Sequence, residues 1–215
     1  MERIISVLIG YAFGLIQTGY IYGMMNHVDI RKHGSGNAGT TNALRTLGWK
    51  AGIITFLGDC LKSVVAVVLV QIIFAQHENV LLFAAYAGLG AVLGHNYPFY
   101  LKFKGGKGIA ATAGFILAIN PLMFVTVALV FLAIVWFTQY VSLGSLIIVT
   151  LFVIEVVVYG QMGGFGIEAP MLYEFYVIAV VLAALAFYRH RANIKRLLTG
   201  TENKTNLRKI GKKKD

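Results

Sequence analysis

Three lysines, one histidine and four glycines fall within fifteen residues, GHNYPFYLKFKGGKG at positions 94–108, with apolar sequence on both sides. No core or membrane-spanning helix tolerates that density of charge and glycine, so the stretch reads as a loop. Lys107 sits among Gly105, Gly106 and Gly108. Glycine permits positive φ and removes side chains, so successive backbone N–H groups can converge on one anion while a lysine supplies formal charge. Phosphate is the ligand this chemistry suits, with His95 and Lys104 as further lining candidates. A Walker loop is excluded, because Leu101 stands where its first glycine belongs and Gly108 where its Ser or Thr belongs. The competing reading makes the lysines topology anchors and the glycines a flexible turn.

Two other stretches are rich in groups that bind oxyanions. GSGNAGTTNALR, 34–45, sets Ser35, Asn37, Thr40, Thr41 and Asn42 among three glycines and ends at Arg45, whose planar fork matches phosphate. Its alternative is a turn followed by a helix cap. YRHRANIKRLLTGTEN, 188–203, places His190 and Asn193 three residues apart, on one face of a helix continuing the last apolar segment. Arg189, Arg191, Lys195 and Arg196 are expected to face lipid headgroups as anchors. Glu202 is the one acid near this charge and is expected to be a structural clasp to a lysine or arginine.

The elements that must carry these stretches are apolar. Of 215 residues, 58% are hydrophobic and 13% charged, against about 25% charged in soluble domains, so the chain is expected to be an integral membrane protein. The segment from Ile4, behind a lone Arg3, lacks a cleavage pattern and reads as a first span. Seven apolar segments can be drawn, at about 4–22, 53–75, 80–94, 109–119, 122–137, 143–159 and 172–188. An all-α polytopic fold of about seven transmembrane helices follows. Several segments fall short of the roughly 20 residues a span needs. Asn120-Pro121 reads as a turn between the fourth and fifth, the alternative being one kinked span over 109–137.

Positive charge decides the topology. With seven spans, one face receives Arg31, Lys32, Arg45 and Lys50, then Lys102, Lys104 and Lys107, then the ten basic residues from Arg189 to Lys214. The other face receives Arg3 alone. Positive residues gather on the cytoplasmic side, so the N-terminus is expected outside, the C-terminus inside, and all three polar stretches on the cytoplasmic face. One domain over 1–203 and a short basic tail, 204–215, expected to be disordered, complete the organisation. Asp59 and Lys62 lie within the second segment, three apart, and are expected to pair and support the site. Cys60 has no partner and reads as packing, while acids are too few in the loops to suggest a metal.

Together the three stretches resemble the signatures of the bacterial membrane acyl-phosphate:glycerol-3-phosphate acyltransferases, the PlsY family. GSGNAGTTNALR is similar to the first motif, GHNYPFYLKFKGGKGIAAT to the second and HRANIKRLLTGTE to the third, with small-residue departures at Thr40, where the family favours Ala, at Ala111-Thr112, and at Ser63, where it favours Gly. The resemblance implies acyl transfer from acyl phosphate to the 1-hydroxyl of glycerol 3-phosphate, giving lysophosphatidic acid and phosphate, at the cytoplasmic side of a bacterial cell membrane. It implies that Ser35, Arg45, Lys107, His190 and Asn193 hold glycerol 3-phosphate. Donors around Asn37, Thr41 and Asn42 and from Gly105 to Gly108 would hold the phosphoryl end of the acyl phosphate. No cofactor is implied.

None of the five histidines is followed five residues later by Asp, so the H-x-x-x-x-D acid/base pair of soluble-type glycerolipid acyltransferases is missing. The family implies substrate assistance instead, the phosphate of the donor accepting the hydroxyl proton, with His190 as the competing base. The rival class is a transporter of a phosphorylated solute, which favours midplane sites and internal repeats; neither is visible here. A nucleic-acid partner would explain the tail but not residues 35–45. The oligomeric state is left open, a monomer being plausible.

Overall fold

The computed structural model describes residues 1–205, and among these every regular element is helical. In chain order they are α1 (Glu2–Gly14), α2 (Thr18–Met25), α3 (Thr40–Leu47), α4 (Trp49–Ile73), α5 (Val80–Asn96), α6 (Ile109–Ile119), α7 (Pro121–Thr138), α8 (Val141–Gln161), α9 (Ala169–Arg189) and α10 (Arg191–Leu198). Counting Glu2–Met25 as one, six of these segments are long and apolar enough to cross a membrane, and α6 has only 11 residues. At 1.5 Å per residue α6 covers about half of a 30 Å hydrocarbon core.

Asn120 separates α6 from α7 as the sequence suggested. Its side chain accepts the N–H groups of Leu122 and Met123, and Pro121 opens α7, where its missing N–H costs nothing.

The first segment is not one continuous helix. The carbonyls that would carry it through residues 14–17 are taken by donors from elsewhere: Gln17 donates to Gly14, Tyr100 to Leu15 and the Lys62 ammonium to Ile16. Gln17 is buried and donates also to the carbonyls of Gly94 and His95. The break therefore welds the end of α1 to the end of α5.

Close helix contact makes that weld possible. A side chain at Gly10 or Gly14 of α1 would collide with the backbone of Ala87 or Ala91, and one at Gly90 or Gly94 with the backbone of Val7 or Tyr11. Small residues four apart on both helices let the backbones meet, the usual way for spans to associate where lipid removes the hydrophobic incentive. α5 is the hub, with Leu82, Phe83, Ala84, Ala85, Ala87 and Val92 all in the main apolar core.

At one end, Arg3 of α1 forms a two-pronged pair with Glu174 of α9, at 2.6 and 2.8 Å, and Tyr86 of α5 donates to the same carboxylate. At the other end, α1 and α5 meet at Gly14 and Gly94, and Arg189 of α9 reaches the loop after α5. α1, α5 and α9 therefore run in the same direction.

Candidate functional site

The site grows from the end of α5. Its last carbonyls have no helical partner and are met by the glycine loop: Gly105 N–H donates to Asn96 O and Gly106 N–H to His95 O. Neither position admits a side chain, since a Cβ at Gly105 would strike the His95 carbonyl and one at Gly106 the His95 ring. This corrects the expectation that Gly105 and Gly106 offer their N–H groups to a ligand. Both donors are spent on holding the loop against α5.

The free backbone donors lie one step further. Gly108 adopts φ +85° and caps α6, whose first N–H groups have no carbonyl to meet within the helix and carry the positive end of its dipole.

Lys107 stands beside this helix start and donates to Asn193 Oδ1 of α10. Asn193 in turn donates to Glu202 (2.7 Å), which also takes Arg196 Nε (2.7 Å) and the Ser142 hydroxyl (3.0 Å). Glu202 is thus a clasp with three partners, and Ser142 of α8 is one that the sequence did not point to. Burial works against its charge, but the bonds from Asn193, Arg196 and Ser142 outweigh that and hold the carboxyl below its ordinary value.

Arg189 donates to the carbonyls of Gly106 (3.0 Å) and Gly105 (2.9 Å) and lies over the Tyr97 ring. With Arg196 on Glu202, two of the four expected headgroup anchors face inward instead. The glycine carbonyls and the clasp are unsatisfied acceptors, and a guanidinium fits them better than open interface does.

His190 ends α9, buried, with Nδ1 against the Ala186 carbonyl at 2.7 Å. A carbonyl can only accept, so Nδ1 carries the hydrogen and Nε2 is left as the acceptor. Burial, then the charge of Lys107, pushes the imidazole down to about 4, so it is neutral at physiological pH. Burial also lowers Lys107, to about 8, aided by Arg196, Arg189 and Arg45 and opposed by Glu202.

Arg45 of α3 joins from the first stretch by donating to Asn203 O (3.3 Å) and Thr205 Oγ1 (3.0 Å). Thr205 is itself held by the carbonyl of Gln139, and Lys204 lies over the Tyr140 ring. The expected disorder of the tail otherwise falls outside the described residues.

The structure thus gathers Arg45, Lys107, His190 and Asn193 at one end of the bundle, with Arg189, Arg196 and Glu202. Ser35 and Lys104 stand exposed nearby in sequence, with Thr41 half-buried on the first turn of α3. Asn37 closes a turn by accepting Gly39 N–H (2.9 Å). Asn42 needs correcting. Its amide donates to the carbonyls of Ile30, His33 and Asn37 and accepts Ser35 N–H, all within the loop. A side chain so fully engaged shapes the loop and has nothing left for a ligand.

His95 is likewise not at the rim. It lies buried between α4 and the glycine loop, where Lys62 Nζ contacts both Asp59 Oδ1 and His95 Nδ1 at 2.9 Å. Asn96, which the sequence reading passed over, is fully buried under Gly108 with neither amide atom partnered. An open apolar groove between the first span and α4, lined by Phe13, Ile16, Ile21, Leu61 and Val65, reaches Lys62.

Six helices long enough to cross a membrane make this a polytopic membrane protein, with an open helix start and converging cations at one end as the candidate site for an oxyanion. Comparison with known proteins makes this specific. The family model described as glycerol-3-phosphate acyltransferase matches residues 4–200. Curated glycerol-3-phosphate acyltransferases from Clostridioides difficile (43% identical, covering 99% of this chain and 97% of the relative) and Halalkalibacterium halodurans (41%; 97% and 96%) are similar over nearly their whole length. Crystal structures of an integral membrane glycerol 3-phosphate acyltransferase, PlsY, in its glycerol 3-phosphate and lysophosphatidic acid forms superpose with TM-scores of 0.82 and 0.80. They are 34% and 33% identical, and 98% of each chain is covered. The chain belongs to the glycerol-3-phosphate acyltransferase family.

Proposed function

We propose that this protein transfers a fatty acyl group from acyl phosphate to the 1-hydroxyl of glycerol 3-phosphate, releasing phosphate and lysophosphatidic acid. The observation that carries this reading is the meeting of Arg45, Lys107, His190 and Asn193 beside the start of α6, where Gly108 offers no side chain to its first N–H groups, an arrangement suited to two phosphates at once. Lys107 and the first N–H groups of α6 take the phosphoryl end of the donor. Arg45, with Ser35 and Thr41 on the same stretch, takes the phosphate of glycerol 3-phosphate. The apolar groove beside α4 suits the acyl chain.

The donor is already activated, so the residues here position the reactants and stabilise charge. As the glycerol oxygen attacks the acyl carbonyl, the C–O bond to phosphate breaks and the hydroxyl proton passes to the departing phosphate. His190 Nε2 is the alternative acceptor, since its ring is neutral and its Nδ1 hydrogen is fixed on Ala186.

The common direction of α1, α5 and α9 supports seven crossings. An odd number of passes must lie between α5 and α9, which makes α6 a return pass despite its length. With basic residues gathered at the α6 end, that end is the cytoplasmic one and the membrane is the bacterial cell membrane.

Purified protein in lipid, given acyl phosphate and radiolabelled glycerol 3-phosphate, is expected to form lysophosphatidic acid, and Lys107→Ala to lose it. Product with acyl-CoA but not acyl phosphate would overturn the donor assignment.

A further inference from the structure

The Lys62 ammonium has three hydrogens and three acceptors around it: Ile16 O, Asp59 Oδ1 and His95 Nδ1. The His95–Asp59 separation, 3.6 Å, is longer than either contact to Lys62, so the lysine and not the carboxylate addresses the ring. An ammonium hydrogen directed at Nδ1 meets a lone pair there, which leaves the ring hydrogen on Nε2. The backbone beneath is pinned as well, because Gln17 and Gly106 N–H both donate to the His95 carbonyl.

Among the described residues Nε2 has no hydrogen-bond partner. It packs against Gly106 at the point where a side chain would begin, so any residue but glycine there would collide with this nitrogen and close off the space around it. The ring is 2% exposed and aimed into the glycine loop. Beside it, the orphaned amide of Asn96 lies under Gly108. α5 therefore ends in two buried polar side chains, the Asn96 amide and the His95 Nε2, whose remaining hydrogen-bonding capacity is turned toward the start of α6 and taken by nothing among the described residues, an expensive arrangement unless a ligand completes it.

We propose that His95 donates its Nε2–H to a phosphoryl oxygen of the acyl phosphate held at the glycine loop, and that Lys62, by occupying Nδ1, is the positioning residue that fixes this tautomer. The inference rests on the acyl-phosphate reading above. It assigns Asp59 the task of holding Lys62 in place, and it explains why a lysine is kept inside a span at all: a neutral donor is needed at a spot where a second full charge beside Lys107 would be costly.

Three measurements on the full-length protein in lipid test it. The ring nitrogens of 15N-histidine-labelled protein, with the His95 signals assigned by their loss in His95→Gln, are expected to show Nδ1 unprotonated and Nε2 protonated; the reverse overturns the proposal whatever the activity. Gln carries its amide nitrogen near the place of Nε2 and Asn near that of Nδ1. His95→Gln is therefore expected to keep acyl-phosphate kcat/KM within about tenfold of wild type, and His95→Asn to lose at least a further tenfold, with KM for glycerol 3-phosphate unchanged in both. Equal loss in the two variants overturns the donor role.

Lys62→Met is expected to raise KM for acyl phosphate about tenfold in the wild-type background and to add little to His95→Gln; full additivity overturns the positioning role. Should Lys62→Met fail to fold, the labelled wild type still decides the tautomer. Wild-type inactivity with acyl phosphate, alongside the expected ring signals, sinks the substrate reading and with it the ligand named here, but not the tautomer.

Discussion

Two groups of charge in this protein are built on opposite plans. Inside the bundle, Asp59, Lys62 and His95 are buried and matched: one carboxylate, one ammonium, and acceptors enough for every lysine hydrogen. At the α6 end, Arg45, Lys107, Arg189 and Arg196 have among the described residues one carboxylate close by, Glu202. The first group is closed, as a charge far from water must be. The second keeps an excess of positive charge that an anion would neutralise, and Lys107 is lowered first by burial and then by the neighbouring Arg196, Arg189 and Arg45. Balance marks the buried support beneath the candidate site, and imbalance marks its charged rim.

Breaking the open group should cost activity more than stability. Lys107→Ala is expected to lower kcat/KM by roughly 10²–10³-fold with little change in melting temperature, read by product formation and thermal unfolding side by side. A melting loss that accounts for the inactivity would erase the contrast. Breaking the closed group should cost stability first, with activity falling through the His95 donor it supports. Asp59→Asn leaves the Lys62 charge uncompensated and is expected to cost about 3–5 kcal/mol, measured by denaturant unfolding in mixed micelles, whereas replacing both residues by leucine should recover much of that loss.

Glu202 lies on the border of the two plans, and Glu202→Gln should affect both readouts. Asn193 loses an anionic anchor and Arg196 its partner, so a fall of about 1–3 kcal/mol should accompany a raised KM for glycerol 3-phosphate. Unchanged KM would detach the clasp from the site.

Acidity sharpens the comparison further. The lowered Lys107 loses its proton as pH rises through about 8, so kcat/KM for the free enzyme is expected to fall above that point, and Lys107→Arg should move the limb upward. His190, lowered to about 4, should put no limb near 6.5. If His190→Ala raises KM for glycerol 3-phosphate and leaves kcat, its role as base is excluded.

The smallest effect belongs to Ser63, whose hydroxyl is buried without a partner among the described residues, at one of the three departures from the family pattern. Ser63→Ala is expected to leave activity alone and stability unchanged or up by about 1 kcal/mol.

Much of this was legible in the sequence because lysines, arginines and glycines are conspicuous against apolar surroundings. The three stretches, the turn at Asn120 and the Asp59–Lys62 pair all announce themselves by type and spacing. What could not be read was which donors are already spent. Gly105, Gly106 and Asn42 look like ligand contacts until their partners, His95 O, Asn96 O and the loop carbonyls, are in view. Those partners lie on other elements or depend on local turns that composition does not specify.

The break at residues 14–17 was hidden for the same reason, since it depends on Tyr100, Lys62 and the ends of α5. A signal was available for the contact behind it: Gly10 and Gly14, like Gly90 and Gly94, follow the small-residue spacing of close-packed spans.

The clasp of Arg3 with Glu174 and Tyr86 has a consequence for biosynthesis. During synthesis the first span, the glycine loop and α6 all emerge before α9 exists. Arg3 then lacks its carboxylate, and Lys107 lacks Asn193. These partners arrive only with the last span and the helix after it, α9 bringing Glu174 to one end of the bundle and α10 bringing Asn193 to the other.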